Sequence, residues 1–185
     1  MNLEEKTLSK KVIFEGRIIT VHEDEVELPN GEKASREVVE HPGGVAIVAL
    51  DGDYNVYMVR QFRYPYHKVL LEIPAGKLNY GEDPFTCGVR ELKEETGLSA
   101  ERYDDLGAFM VSPGFCGETI HIYLARELSS GDMHLDPDEF LEVEKMPLKE
   151  LLDMIMDNKI EDAKTVIGIL KTAELLRREK AELDF

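Results

Sequence analysis

The chain has 185 residues, 43% of them hydrophobic, with 22 Lys and Arg against 38 Asp and Glu, giving a net charge of −16. That length supplies one domain with a real core plus an appendage, and too little for two ordinary domains. So acidic a chain repels phosphate backbones, which argues against nucleic acid and anionic membranes as partners, and no apolar run approaches the roughly 18 residues of a membrane span.

Only two cysteines are present, Cys87 and Cys116, and the first residues, MNLEEKTLSKK, have no apolar stretch of the signal-peptide kind. A reduced, cytoplasmic protein is the expectation. Residues 12–40 alternate like strands, with Asn30-Gly31 as a hairpin turn, and predict an antiparallel β-meander in an N-terminal segment, 1–41. Three strands enclose no core, so this segment is expected to bury its apolar face on other protein, either the 42–185 domain or a second subunit. It carries a charged pair, Arg36-Glu37. Residues 42–50, PGGVAIVAL, predict a buried strand and NVYMVRQ at 55–61 another, followed by FRYPYHK, a loop rich in aromatic and basic groups that includes Arg63.

Asp83-Pro84 reads as an N-cap and first-turn pair and Gly97 as the residue ending a helix, so the spacing predicts a helix over about Pro84–Thr96. At 3.6 residues per turn Phe85, Val89, Leu92 and Thr96 form a predicted core stripe, while Glu91, Glu94 and Glu95 share another face and Arg90 lies one turn before Glu94. Carboxylates this close are costly unless a cation neutralises them. Hard oxygens without His or Cys suit Mg²⁺, with Mn²⁺ as a substitute, better than Zn²⁺. Beyond the helix, LGAFMV and TIHIYLA predict strands flanking SPGFCGE, and an acidic loop at 129–139 precedes a short strand, FLEVEKM. From Pro147 onward two amphipathic helices are predicted to cover the sheet, the second with a stripe of Val166, Ile169, Leu170, Ala173 and Leu176; Met154 and Met156 read as core filler and nothing there suggests chemistry.

Gly76, five residues, Glu82, seven residues, then Arg90-Glu91-Leu92-Lys93-Glu94-Glu95-Thr96-Gly97-Leu98 resembles a complete Nudix box, with no position departing. The resemblance implies an α/β fold, an α/β/α sandwich around a mixed sheet, that hydrolyses a nucleoside diphosphate linked to a further moiety with Mg²⁺ on the box glutamates. VRQFRYP and LEIPAG, with REVVE and a proline 15 residues past Leu98, resemble the ADP-ribose pyrophosphatase branch. That likeness implies metal ligation by the Ala75 carbonyl, Glu91, Glu95 and Glu139. It also implies catalytic duties for Glu139, Glu94 and Arg90, and substrate contacts from Arg36, Glu37, Arg63, Pro113 and Gly114. Asp136, Asp138 and Glu142 are near enough in sequence to compete for the place of Glu139. The branch exchanges its N-terminal region across a two-fold axis, so a homodimer is implied, with the meander serving dimerisation and substrate binding. The implied substrate is ADP-ribose. The alternatives are another nucleoside diphosphate sugar such as a GDP-hexose, or a catalytically silent Nudix domain that senses a nucleotide.

Overall fold

A computed structural model describes residues 2–135, 137 and 139–179. The chain divides into two compact units, residues 1–43 with 110–119, and residues 44–109 with 120–185. The first holds three antiparallel strands, β1 (Lys6–Glu15), β2 (Thr20–Glu27) and β3 (Lys33–Glu40), in the order β1-β2-β3. The Asn30-Gly31 turn joins β2 to β3, with Gly31 at φ 85° and its N–H donating to the Leu28 carbonyl, the positive φ that such hairpins require. The 110–119 segment docks on β3: Val39 N–H donates to the Phe115 carbonyl at 2.7 Å and its own carbonyl accepts from Gly117 N–H at 2.9 Å. All ten residues of β1 are exposed, including the apolar Leu8, Val12, Ile13 and Phe14.

The second unit is built on a mixed sheet. Its strands are β4 (Gly44–Leu50), β5 (Asn55–Arg63), β6 (Lys68–Glu72), β7 (Ala75–Lys77), β8 (Leu98–Met110), β9 (Thr119–Ser130) and β10 (Leu141–Pro147), ordered β10-β5-β4-β9-β8 with β6 on β5 and β7 on β4. β4 runs parallel to β9 and antiparallel to β5 and β7. All seven residues of β4 are buried because helices cover both faces. Val45, Ile47 and Ala49 pack toward α1 (Pro84–Thr96), while Ala46, Val48 and Leu50 pack with α2 (Leu148–Met156) and α3 (Ala163–Arg178). A Cβ on Gly88 of α1 would lie 3.1 Å from Val45, and one on Gly168 of α3 2.9 Å from Val48, so each layer approaches the central strand at a glycine. This is the predicted α/β/α sandwich around a mixed sheet with an antiparallel N-terminal meander. Among the described residues no helix is long and apolar enough to cross a membrane.

Three packing expectations need correction. The buried residues of α1 are Cys87, Gly88, Leu92 and Glu95, and Phe85 and Val89 are exposed. The helix is rotated so that its acidic side faces the sheet, and the Phe85 ring packs edge-on against Tyr103 and Tyr123 instead. In α3 Leu170 is exposed, the inward positions going to Thr165, Gly168, Ile169, Thr172, Ala173 and Leu176. Met156, the last residue of α2, is also exposed. Of the predicted second helix, residues 180–183 lie outside the described residues.

Candidate active site

Asp83 caps α1 by accepting from Thr86 N–H at 2.9 Å, and Gly97 closes it in the left-handed region at φ 69°. Between these ends the contact with β4 turns two glutamates toward β7. Glu95, 1% exposed, accepts from Ala75 N–H at 3.0 Å. Glu91 lies so close over Gly76 that a Cβ there would stand 1.9 Å from its Cδ. The first glycine of the motif is therefore the space the Glu91 carboxylate occupies.

Arg90 gathers the remaining acids. Its guanidinium lies 3.2 Å from Glu82 and 2.8 Å from both Glu91 and Glu94. Glu82 is fixed in turn by Asn79, which donates through its backbone N–H and its side-chain amide at 2.9 and 3.0 Å. The Asn79 backbone bond, reinforced by Arg90, holds the Glu82 carboxyl below its ordinary range. Glu91 and Glu95 behave oppositely. Burial pushes both carboxyls up, Glu95 to about 8, and the charge of Glu139 adds to the rise at each. The Cys87 thiol, also buried, is pushed up to about 12, so it packs as a thiol and does not serve as a nucleophile.

Glu139 is half-buried, and the loop that carries it is tied to the end of α1. Gly131 N–H donates to the Gly97 carbonyl at 2.7 Å, and His134 N–H to the Glu94 carbonyl at 2.9 Å. Glu142 is exposed on β10 opposite Arg60. Asp136 and Asp138, the other competitors for its place, lie outside the described residues.

Arg63 ends β5 and grips Glu72 with both arms of its fork, Nε to Oε1 and Nη2 to Oε2, each at 2.7 Å. Its charge is felt at Glu95. Ala75, Glu91, Glu94, Glu95, Arg90, Glu139 and Arg63 thus all belong to the second unit. Arg36, Glu37, Pro113 and Gly114 belong to the first. There Arg36 binds Glu5 through Nε and Nη2 at 2.8 and 2.6 Å, Glu37 is exposed on β3 opposite Glu23, and Pro113-Gly114 sit in a turn closed by the Ser112 carbonyl, which accepts from Phe115 and Cys116 N–H, just before the residues that bond to Val39.

Among the described residues no three His, Cys, Asp or Glu side chains are already gathered into a cage for an ion, since Arg90 draws Glu91 and Glu94 to itself. The donor set nonetheless fits a hard divalent cation. Carboxylate oxygens converge beside β7, and buried Glu95 has its charged form disfavoured by Glu91 and Glu139, a repulsion that a cation would relieve. Sequence reading missed Glu72, which anchors Arg63, and Lys164 and Thr165, which tie Glu72 and Ile73 to the start of α3. For Glu72 a signal existed in the charged residue closing the apolar run Val69-Leu70-Leu71.

The NUDIX domain family matches residues 40–167 and the nucleoside diphosphate sugar hydrolase N-terminal domain family residues 5–39. The chain is 44% identical to an ADP-ribose pyrophosphatase of Bacillus subtilis (strain 168), over 97% of this chain and 99% of that one. It is also 44% identical to a methanol dehydrogenase activator of Bacillus methanolicus, over 95% and 97%. A crystal structure of an ADP compounds hydrolase shares the fold, with a TM-score of 0.85 over 97% of this chain and 98% of that chain at 23% identity.

Proposed function

The chain belongs to the Nudix family, and from that premise we propose that it adds water across the diphosphate of ADP-ribose to give AMP and ribose 5-phosphate. The observation that carries this reading is buried Glu95 beside half-buried Glu91 against β7, with Glu139 close enough to raise both carboxyls, in a chain similar over 97% of its length to an ADP-ribose pyrophosphatase. Nudix hydrolases generally use a divalent metal, and here Glu91, Glu95, Glu139 and the Ala75 carbonyl would hold Mg²⁺, or Mn²⁺ in its place. When bound, the cation supplies neutralisation of the diphosphate charge and a lowered pKa for water.

The protein's own groups do the rest. Glu139 orients the attacking water and takes its proton. Arg90 holds Glu94 and Glu91 in place, and Arg63 binds a substrate phosphate as a planar fork. Arg36, Glu37, Pro113 and Gly114 take the nucleoside and terminal ribose. Cys87 and Cys116 are free thiols, in keeping with a reducing compartment.

Incubation with ADP-ribose and Mg²⁺ should yield AMP and ribose 5-phosphate in equal amounts, separable by ion-exchange chromatography. Release of inorganic phosphate alone, or no products, would reject the assignment. In the same assay Glu139→Gln should lower kcat by roughly 10²-fold or more with little change in KM, whereas Glu142→Gln should stay near wild type. The reverse pattern would move the proton-accepting role to Glu142.

The protein is further proposed to act as a homodimer. The support is β1, whose exposed Leu8, Val12, Ile13 and Phe14 sit on a three-stranded sheet too small to leave such a surface in water. In a two-fold dimer, Arg36 and Glu37 of each subunit would serve the substrate of its neighbour. Mixing inactive Glu95→Gln subunits with inactive Arg36→Ala subunits should then restore part of the activity. A monomer in sedimentation, or no recovery after confirmed subunit exchange, would refute the shared arrangement.

A further inference from the structure

β6 is apolar at Val69, Leu70 and Leu71 and then ends on Glu72, which is 1% exposed. A carboxylate withdrawn from water this completely is tolerated only when well paired. Burial pushes its carboxyl up, yet the bonds from Arg63 and Lys164 outweigh burial and hold it below the ordinary range. Arg63 takes both oxygens, and Lys164 Nζ shares Oε2.

Lys164 stands on the first turn of α3, beside Asp162, whose Oδ1 lies 3.0 Å from its ammonium. The other oxygen of Asp162 caps the helix, accepting from Thr165 N–H at 3.0 Å and from Thr165 Oγ1 at 2.5 Å. Thr165 Oγ1 in turn accepts from Ile73 N–H at 2.9 Å. The start of α3 is therefore bound both to Glu72 and to the residue after it, two residues before the N–H that Ala75 donates to Glu95.

This clamp uses one edge of the Arg63 guanidinium. Among the described residues Nη1 has no hydrogen-bond partner, and the side chain is 36% exposed. A fork anchored on one edge presents the other in a fixed orientation, and Lys164 offsets the Glu72 charge that would otherwise cancel the pull of Arg63 on an anion.

We propose that Glu72 and Lys164 are positioning residues that orient Arg63 for a substrate phosphate, with Asp162 and Thr165 fixing the base of the clamp. The proposal rests on the reading of Arg63 as a phosphate ligand given above. A pre-ordered guanidinium strengthens binding because its ordering cost is met during folding and not on association.

The test is a double-mutant cycle on KM for ADP-ribose and on the Kd for ADP, measured by calorimetry with Mg²⁺ present. Glu72→Gln should raise both by about tenfold while kcat stays within about twofold. In an Arg63→Ala background the same substitution should add less than about twofold. Where Glu72→Gln loses its cooperative melting transition, Glu72→Gln with Lys164→Met removes the buried carboxylate together with its lysine partner and carries the same cycle. Effects of equal size in the two backgrounds, unchanged KM and Kd in a folded variant, or unfolding of both variants would make the pair merely structural. ADP binding that ignores Arg63→Ala would also overturn the proposal. A wild-type protein that binds ADP through Arg63 but leaves ADP-ribose intact would refute the substrate assignment and leave the clamp standing.

Discussion

Glu95→Gln is expected to remove most turnover and, in cation-free buffer near pH 8, to make the protein more stable. Both effects follow from one buried carboxylate. Glutamine keeps an oxygen to accept from Ala75 N–H and nearly the same volume, so the contact of α1 with β7 survives. What disappears is the charge. A ligand charge for a divalent cation contributes several kcal/mol at the transition state, corresponding to about 10²-fold to 10⁴-fold in rate.

The stability effect has a definite sign. Burial, with Glu139 and Glu91 nearby, raises the Glu95 carboxyl to about 8 from an ordinary 4.5. Below pH 4.5 the group is protonated in folded and unfolded chains alike and costs nothing. Between 4.5 and 8 the unfolded chain releases the proton while the folded chain keeps it, so wild-type stability falls as pH rises. Gln has no such slope. The variant should melt higher than wild type at pH 8, the gain should vanish near pH 4, and added Mg²⁺ should stabilise wild type while moving the variant far less. A variant that loses activity together with stability at every pH would show that Glu95 serves packing and not the cation.

The ends of α1 were legible in the sequence because Asp83-Pro84 and Gly97 act within a turn of themselves, and its acidic face because 3.6-residue periodicity is local. Its rotation was not. Phe85 and Val89 have the hydrophobicity of core residues, but Gly88 permits the closer approach to Val45 and turns the neighbouring Glu91 and Glu95 inward, a choice made by the sheet. β8 starts at Leu98, directly after the helix, eight residues before the apolar run that announced it, because residues 99–105 are mostly polar and break the alternation. The pairing within the clamp around Arg63 was invisible for a related reason, although Glu72 itself left a signal at the end of its apolar run. Glu72 and Lys164 are 92 residues apart, and neither Lys164 nor Thr165 departs from an ordinary helix start. Sequence patterns report what neighbours within an element do, whereas the second layer of polar contacts depends on which elements the sheet brings side by side.

Gly76→Ala is the substitution expected to separate fold from function most sharply. The added Cβ would stand 1.9 Å from Cδ and 2.1 Å from Oε1 of Glu91, where nonbonded carbons need about 3.5–4 Å. The three nearest atoms, Cδ, Oε1 and Cγ, all belong to one flexible side chain, so β7 keeps its pairing with β4, opposite Val45, and Glu91 moves. Its nearest cationic partner is Arg90, already 2.8 Å away, which draws the carboxylate toward Glu82 and Glu94 and away from Glu95. The melting temperature should therefore shift by only a few degrees, the change that about 1 kcal/mol produces in a chain of this size. Turnover at low Mg²⁺ should fall by about 10²-fold or more, and the Mg²⁺ midpoint should move to higher concentration because one ligand is displaced and not deleted. Gly52→Ala, where an added Cβ meets nothing within 4 Å, serves as the control and should leave both measurements unchanged. Gly76→Ala with wild-type rate and wild-type Mg²⁺ dependence would show that Glu91 is not held over Gly76 when the enzyme works, and that the first glycine of the motif does not make room for its carboxylate.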